Sequence, residues 1–263
     1  MSAKLPVVEI FDSLQGEGPY LHPAIFLRTA LCCFECKGFN CSLKAPDGST
    51  VTGCDTIRAV SPKFKESWTY YEDSLSLIKA VEAHVKTYPH SNFKQDLVLT
   101  GGEPLLHFSN PVLIETLEHF YRLGHTLTVE TNASLPIAFD KTVLTEARFS
   151  MSVKLSNSGE SRDKRINYST IRAIVDNTEQ SYFKFVVSKD TWEHDKEEIF
   201  EILDNTGRSI PVYLMPLGGD FKSLQNNTQF VVEKCIVYVA LSVKALTVLL
   251  RLLTVLQLQD VTP

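Results

Sequence analysis

Residues 96–104 read "DLVLTGGEP". Leu97, Val98 and Leu99 make a short apolar run, which reads as a buried strand. It ends directly in Gly101-Gly102. Paired glycines there let a ligand approach backbone whose N–H and C=O groups are free to bind it. Glu103 adds a carboxylate. The pattern recurs along the 263 residues. "LTVET" (127–131) runs into Asn132, "FSMSVKL" (149–155) into Ser-Asn-Ser, and "VYLMPL" (212–217) into Gly-Gly. "PVVEIF" (6–11), "AIFLRTA" (24–30) and "FKFVVS" (183–188) are further strands. Helical spacing lies between most of them, over 74–85, 110–124 and 197–203, with Asn110, Pro111 and Gly124 as cap, first-turn and stop residues. Strands alternating with helices predict an α/β fold with a parallel sheet, an open or partial barrel of about six βα units. In such sheets reactive groups gather at the C-terminal ends of the strands. Glu130 and Asn132, at one such end, are expected to line the pocket.

The formal charge is −5, so the balance gives no reason to expect a nucleic-acid partner. Residues 236–259 are apolar, with Lys244 and Arg251 the only charges. No uncharged run there reaches the length of a membrane span, so a buried or amphipathic helix is expected rather than a crossing. "MSAKLPVVEIF" lacks a charged segment followed by a long apolar one, so a reducing cytoplasm is expected. Cysteines clustered in that compartment read as metal ligands or redox groups. Four of the six fall in "CCFECKGFNC" (32–41), and Cys54 follows. Cys33-x2-Cys36 is the only such pair, so a structural zinc and an iron–sulfur cluster both stay open on spacing alone. Cys235, in an apolar stretch, reads as a buried hydrophobe. "LQGEG" (14–18) has no Lys-Ser/Thr after it, so it is not a phosphate loop.

Taken in order, "SLQGEGPY", "FLR", the cysteine segment ending "CDT", "LTGGEP", "VETN", "SVKLSNSGE", "KFVV" and "VYLMPLG" resemble the 7-carboxy-7-deazaguanine synthases. These are radical S-adenosylmethionine enzymes of queuosine and 7-deazapurine biosynthesis. The resemblance runs from about residue 5 to about residue 235 and is closest to forms with an insertion inside the cysteine motif. It implies a partial (β/α)6 TIM-like barrel of the radical S-adenosylmethionine type. It also implies a [4Fe–4S] cluster on Cys32, Cys36 and Cys54, with Cys33 able to replace Cys32 if the register slips by one. The open iron would bind S-adenosylmethionine, whose cleavage gives the radical that takes hydrogen from 6-carboxy-5,6,7,8-tetrahydropterin. Ring contraction with loss of ammonia then yields 7-carboxy-7-deazaguanine, a carbon–nitrogen lyase reaction.

Roles follow by motif. The resemblance implies substrate contacts at Leu14, Gln15, Gly16, Arg28 and Thr100. It implies S-adenosylmethionine contacts at Asp55, Gly102, Glu103, Ser152, Val153, Lys154 and Met215, Pro216, Leu217, Gly218. Thr56 is expected to bind Mg²⁺. A flavodoxin- or ferredoxin-type electron donor and a homodimer are further implications. Residues 1–235 are expected to form the core, with the cysteine loop at 31–65, and 236–263 an apolar tail unlike the family's polar end. Leu31 stands where the family has glycine. Two rival readings are a glycyl-radical activase of the same superfamily and a zinc-binding interaction module.

Overall fold

The computed structural model describes residues 4–17, 21–87, 91–218, 221–240 and 246–248. Gly18 of the first motif, and 241–245 and 249–263 of the apolar tail, lie outside the described residues. The chain opens with an antiparallel pair, β1 (Leu5–Gln15) and β2 (His22–Thr29), in which Glu9 faces Arg28. The cysteine segment follows, with β3 (Cys41–Lys44), β4 (Thr50–Gly53) and a single turn, α1 (Ile57–Val60). β5 (Thr69–Tyr71) pairs antiparallel with β1.

Strands and helices then alternate. α2 (Ser74–Glu82) leads to β6 (Asp96–Gly101), and α3 (Pro111–Arg122) to β7 (Leu127–Thr131). The short α4 (Thr142–Thr145) precedes β8 (Arg148–Met151), and α5 (Arg162–Arg165) and α6 (Tyr168–Asn177) precede β9 (Tyr182–Val187). α7 (Trp192–Asp204), β10 (Val212–Pro216), α8 (Phe221–Ala240) and β11 (Leu246–Val248) complete the described chain. The strand order is β11-β10-β9-β8-β7-β6-β2-β1-β5, and every neighbouring pair from β2 to β11 is parallel. β2 and β6 to β10 supply the six parallel strands that the sequence predicts.

Side chains alternate across these strands. Leu97 and Leu99 of β6, Val129 of β7, Phe149 of β8, Phe183 and Phe185 of β9 and Leu214 of β10 join one large core with α2, α3, α6 and α7. The opposite face carries Arg28, Thr100, Glu130, Ser150, Tyr182, Lys184 and Met215. That inner face is strongly curved. β1 and β9 lie five strands apart, about 24 Å in a flat sheet. Yet the Tyr182 hydroxyl donates to the Glu17 carbonyl at 2.7 Å, just beyond β1. The sheet therefore bends into an open partial barrel.

Local signals explain the elements. The Asn110 side chain accepts from the Val112 N–H at 3.0 Å, Pro111 opens α3, and Gly124 takes φ +85° after it. Four expectations shift. β8 stops at Met151 rather than 155, because its ladder ends where β7 does, with Ser152 N–H on the Thr131 carbonyl at 2.7 Å. α2 ends at Glu82 rather than 85, and α7 begins at Trp192, five residues before the apolar spacing becomes clear. The tail is not one helix: α8 ends at Ala240, and Leu246–Val248 pairs with β10. No described helix is long and apolar enough to cross a membrane. Cys235 is buried in the core on α8.

Candidate active site

The ends of β2 and β6 are held together by backbone bonds. Gly102 N–H donates to the Thr29 carbonyl at 3.3 Å, and Glu103 N–H to the Leu31 carbonyl at 2.8 Å. A Cβ on Gly102 would sit 2.0 Å from the Leu31 oxygen and 2.9 Å from the Cys32 Cβ, so only glycine permits this approach. Leu31 itself adopts φ +73°, the left-handed region that glycine enters without strain. The buried His107 ring meets the Ala30 carbonyl at 2.7 Å and braces the same turn.

The segment between Cys36 and Cys54 is a β-hairpin. Cys41 pairs with Gly53 across β3 and β4, and the chain reverses at Gly48, where φ is +81°. The hairpin thus returns Cys54 to the place it left. A Cβ on Gly53 would lie 2.7 Å from the Glu35 carbonyl, so the backbone before Cys54 rests directly on the backbone before Cys36. This contact is what makes a long insertion compatible with one ligand set.

The thiols differ in surroundings. Burial pushes the Cys36 thiol up to about 12, with Lys154 acting in the opposite sense, and burial also raises Cys54. Cys32 is held protonated by its hydrogen bond to Cys33 and by burial. Cys33 is shifted the other way, first by Cys32 and then, against burial, by Ser134 and Asn132. Its Sγ lies 3.4 Å from Ser134 Oγ and accepts from Asn132 Nδ2 at 3.3 Å. Cys41 belongs to the hairpin, with its thiol 3.7 Å from the Phe39 carbonyl. Among the described residues no three His, Cys, Asp or Glu side chains are gathered around a single ion's position. Cys36 and Cys54 lie on two stretches pressed together at Gly53, beside the Lys154 cation, and thiols so placed are of the kind that ligate an iron–sulfur cluster.

Glu103 is fully buried, and its carboxylate faces inward to the fold. It accepts from Thr131 Oγ1 at 2.6 Å, Asn132 N–H at 2.7 Å and Leu105 N–H at 3.0 Å. Burial pushes its carboxyl up to about 7 against these donors. It ties β6 to β7 and caps the short turn Pro104–His107. Of the other expected cofactor contacts, Lys154 Nζ lies 3.0 Å from Ser152 Oγ, 5.9 Å from the Phe39 ring centre and beside Cys36. Val153, Met215 and Pro216 are buried, and Leu217 and Gly218 half-buried. Gly218 is packed backbone-to-backbone on Leu224, where a Cβ would come within 2.7 Å. Asp55 is exposed and accepts from Thr56 Oγ1 at 3.0 Å.

Below the cysteine segment, the inner face holds a polar network. Gln15 Nε2 donates to Glu130 Oε1 at 3.0 Å, and Thr100 Oγ1 donates to Glu130 Oε2 at 2.8 Å. The Lys184 ammonium pairs with Glu17 and stands 3.9 Å from Glu130. Burial alone would lower the Lys184 pKa, but Glu130 and Glu17 outweigh it and raise it. Leu14 and Gly16 flank the buried Gln15, with Leu14 exposed. Arg28 is turned toward β1, where it donates to Glu9 at 2.7 Å and lies over the Phe11 ring. Glu17, Tyr182 and Lys184 were not singled out from the sequence. The signal was the period of two in "YFKFVV": a lysine alternating with phenylalanines on a buried strand needs a partner.

A cysteine segment at the strand ends, beside the polar inner face of a partial barrel, is an arrangement shared by iron–sulfur proteins, and the comparisons place the chain among them. Residues 14–175 match the model of a 4Fe-4S single cluster domain. The 7-carboxy-7-deazaguanine synthase of Pyrobaculum aerophilum is 30% identical over 220 residues, covering 81% of this chain and 80% of that protein. The synthase of Methanospirillum hungatei is 26% identical over 219 residues, 83% of this chain and 75% of that protein. With the synthase of Halobacterium salinarum the match is 34% identical over 135 residues, half of this chain and 40% of that protein. Among solved structures, Streptococcus suis SuiB bound to precursor peptide SuiA aligns with a TM-score of 0.48 at 13% identity, over 68% of this chain and 42% of that one. The chain belongs to the 7-carboxy-7-deazaguanine synthase family.

Proposed function

We propose that the chain converts 6-carboxy-5,6,7,8-tetrahydropterin to 7-carboxy-7-deazaguanine with loss of ammonia, in queuosine and 7-deazapurine biosynthesis. The observation that carries this reading is the shared carboxylate. Gln15 and Thr100, the substrate contacts expected from the family motifs, both donate to Glu130 on the inner face. A flat heterocycle with ring N–H, amino and carbonyl groups needs fixed donors and acceptors on a dry wall. Glu130 offers the acceptor, Thr100 and Gln15 the orientation, and Lys184 a buried cation.

Cys32, Cys36 and Cys54 would hold the cluster. When bound, the reduced cluster and S-adenosylmethionine supply the hydrogen-abstracting radical. The chain's own part is binding, orientation and exclusion of water. Gly102 would leave backbone open to the cofactor's amino acid portion, Ser152, Val153 and Lys154 would flank it, and Met215 to Gly218 would take its adenine side. Glu103 would act there through Asn132 and Thr131, whose positions it fixes. Arg28 has the planar fork that suits a carboxylate, and would exchange its exposed Glu9 partner for the substrate's. Thr56 would give Mg²⁺ one hydroxyl, with substrate oxygens and water completing the shell, as that ion prefers. Asp55 holds that hydroxyl. The core is assigned to residues 1–235, with 236–263 as an appended tail. A reducing cytoplasm suits the reduced thiols, and a flavodoxin- or ferredoxin-type protein would supply the electron to a homodimer.

Anaerobic turnover of the cluster-loaded chain with S-adenosylmethionine, dithionite, Mg²⁺ and the pterin tests the reading. A 7-deazapurine carboxylate product supports it, and cleavage of S-adenosylmethionine without that product contradicts it.

A further inference from the structure

Cys36 occupies an unusual backbone state. Its φ and ψ are both 48°, the left-handed region that a side chain enters only under strain. Strained residues persist where surrounding groups over-determine them. Here one of those groups is the Glu160 side chain, which bonds directly to the strained peptide. Glu160 Oε1 accepts from the Glu35 N–H at 2.7 Å and from the Cys36 N–H at 3.2 Å. Its Oε2 accepts from Lys164 Nζ at 2.8 Å.

The loop carrying Glu160 lies on the cysteine segment at backbone contact. A Cβ on Gly38 would fall 2.2 Å from the Asn157 carbonyl, and one on Gly159 would fall 3.0 Å from the Gly38 nitrogen. That loop is anchored from behind. Asn157 Nδ2 donates to the Val186 carbonyl at 2.8 Å, and Ser156 N–H to Glu198 at 2.8 Å. Arg165 reaches the Glu160 carbonyl at 3.3 Å and the Lys154 carbonyl at 3.0 Å while paired with Glu198. A rigid path therefore runs from α7 through Glu160 to the backbone of one cysteine.

We propose that Glu160 is a positioning residue for the iron–sulfur cluster, its carboxylate fork holding Cys36 in the left-handed conformation that aims its thiol at the metal site. Charge-assisted bonds to two adjacent amides fix both the position and the direction of the following Cα–Cβ bond. Residues that orient metal ligands in this way contribute to metal retention without touching the metal. The inference rests on the assignment of Cys36 as a cluster ligand.

The test uses the full chain, with Glu160→Ala and the isosteric Glu160→Gln. Amide exchange at Glu35 and Cys36, read without metal, is expected to quicken about tenfold or more in the alanine variant and less in the glutamine one. After anaerobic loading with ferrous iron and sulfide, the alanine variant is expected to lose iron to a chelator roughly tenfold more readily, with the glutamine variant between it and the parent. Unchanged exchange and unchanged iron retention in both variants would overturn the role of Glu160 alone. A parent chain that protects both amides yet takes up no cluster would overturn the ligand assignment as well. If the alanine variant does not fold, the glutamine variant decides by the same two readings.

Discussion

The Lys184 ammonium and the Glu17 carboxylate meet across the interior of the curved sheet, with Glu130 3.9 Å from the same ammonium. One cation thus serves two carboxylates on the wall proposed to receive substrate. Removing it would leave two part-buried negative charges facing each other. Lys184→Met is expected to lower stability by about 3–5 kcal/mol in urea titration, the usual cost of breaking a buried pair from one side. Adding Glu130→Gln should recover part of that loss. Because the Lys184 pKa is raised, the pair's stability is present below the ordinary lysine value and lost only as pH climbs through the higher folded one. Stability from this pair should therefore stay flat between about pH 6 and 9.

Leu31 offers a case where a substitution acts through the backbone. A left-handed conformation costs a non-glycine residue about 1–2 kcal/mol, and glycine loses about 0.5–1 kcal/mol more entropy on folding. Leu31 is 36% exposed, so its covered part, worth about 1–2 kcal/mol, is lost in glycine as well. Strain relief and lost burial nearly offset each other, and Leu31→Gly is expected to shift stability by no more than about 1 kcal/mol in thermal unfolding. A loss of about 2–3 kcal/mol, as at an unstrained leucine, would show that the left-handed φ carries no cost.

Gly102→Ala is expected to destabilise. The new methyl would collide with the Leu31 carbonyl, which is backbone and cannot swing aside. A destabilisation of about 1–3 kcal/mol follows from overpacking of this kind. Iron content after reconstitution should fall with it, because the collision separates β6 from the cysteine segment.

Glu103 gives a pH dependence with a defined sign. Its folded value of about 7 lies above the ordinary 4.5. The unfolded chain therefore releases this proton first as pH rises, and stability from this group is present below 4.5 and lost as pH rises through about 7. The shift corresponds to a loss on the order of 3 kcal/mol. Denaturant titrations at pH 5 and 8 should show the parent chain losing stability relative to Glu103→Gln. The buried His107 and His125, whose pKa values burial lowers, contribute equally to both proteins and cancel.

The parallel strands were legible because their signals are local. "DLVLT" is apolar, β-branched in part and closed by glycines, and Asn110-Pro111 with Gly124 brackets α3. The hairpin of β3 and β4 was not legible. "CSLK" and "TVTG" are short and half polar, and their pairing depends on Cys41 meeting Gly53 across the turn. The direction of the Glu103 side chain was equally hidden. Sequence supplies a carboxylate after two glycines, but Thr131, Asn132 and Leu105, which surround it, lie on other parts of the fold. The Glu160 fork depends on residues more than a hundred positions away, beyond any local pattern.

The central claim is the ring contraction, and one labelled turnover tests it most directly. The cluster-loaded chain would be given S-adenosylmethionine, dithionite, Mg²⁺ and 6-carboxy-5,6,7,8-tetrahydropterin deuterated at its carbon-bound ring positions, with products read by mass spectrometry. The account predicts 7-carboxy-7-deazaguanine and ammonia, with deuterium entering the adenosyl 5′ position of S-adenosylmethionine, because the hydrogen first removed is returned to the product radical and the ring contraction is redox-neutral. A pterin ring left intact, or product formed with no deuterium in S-adenosylmethionine or 5′-deoxyadenosine, would contradict it.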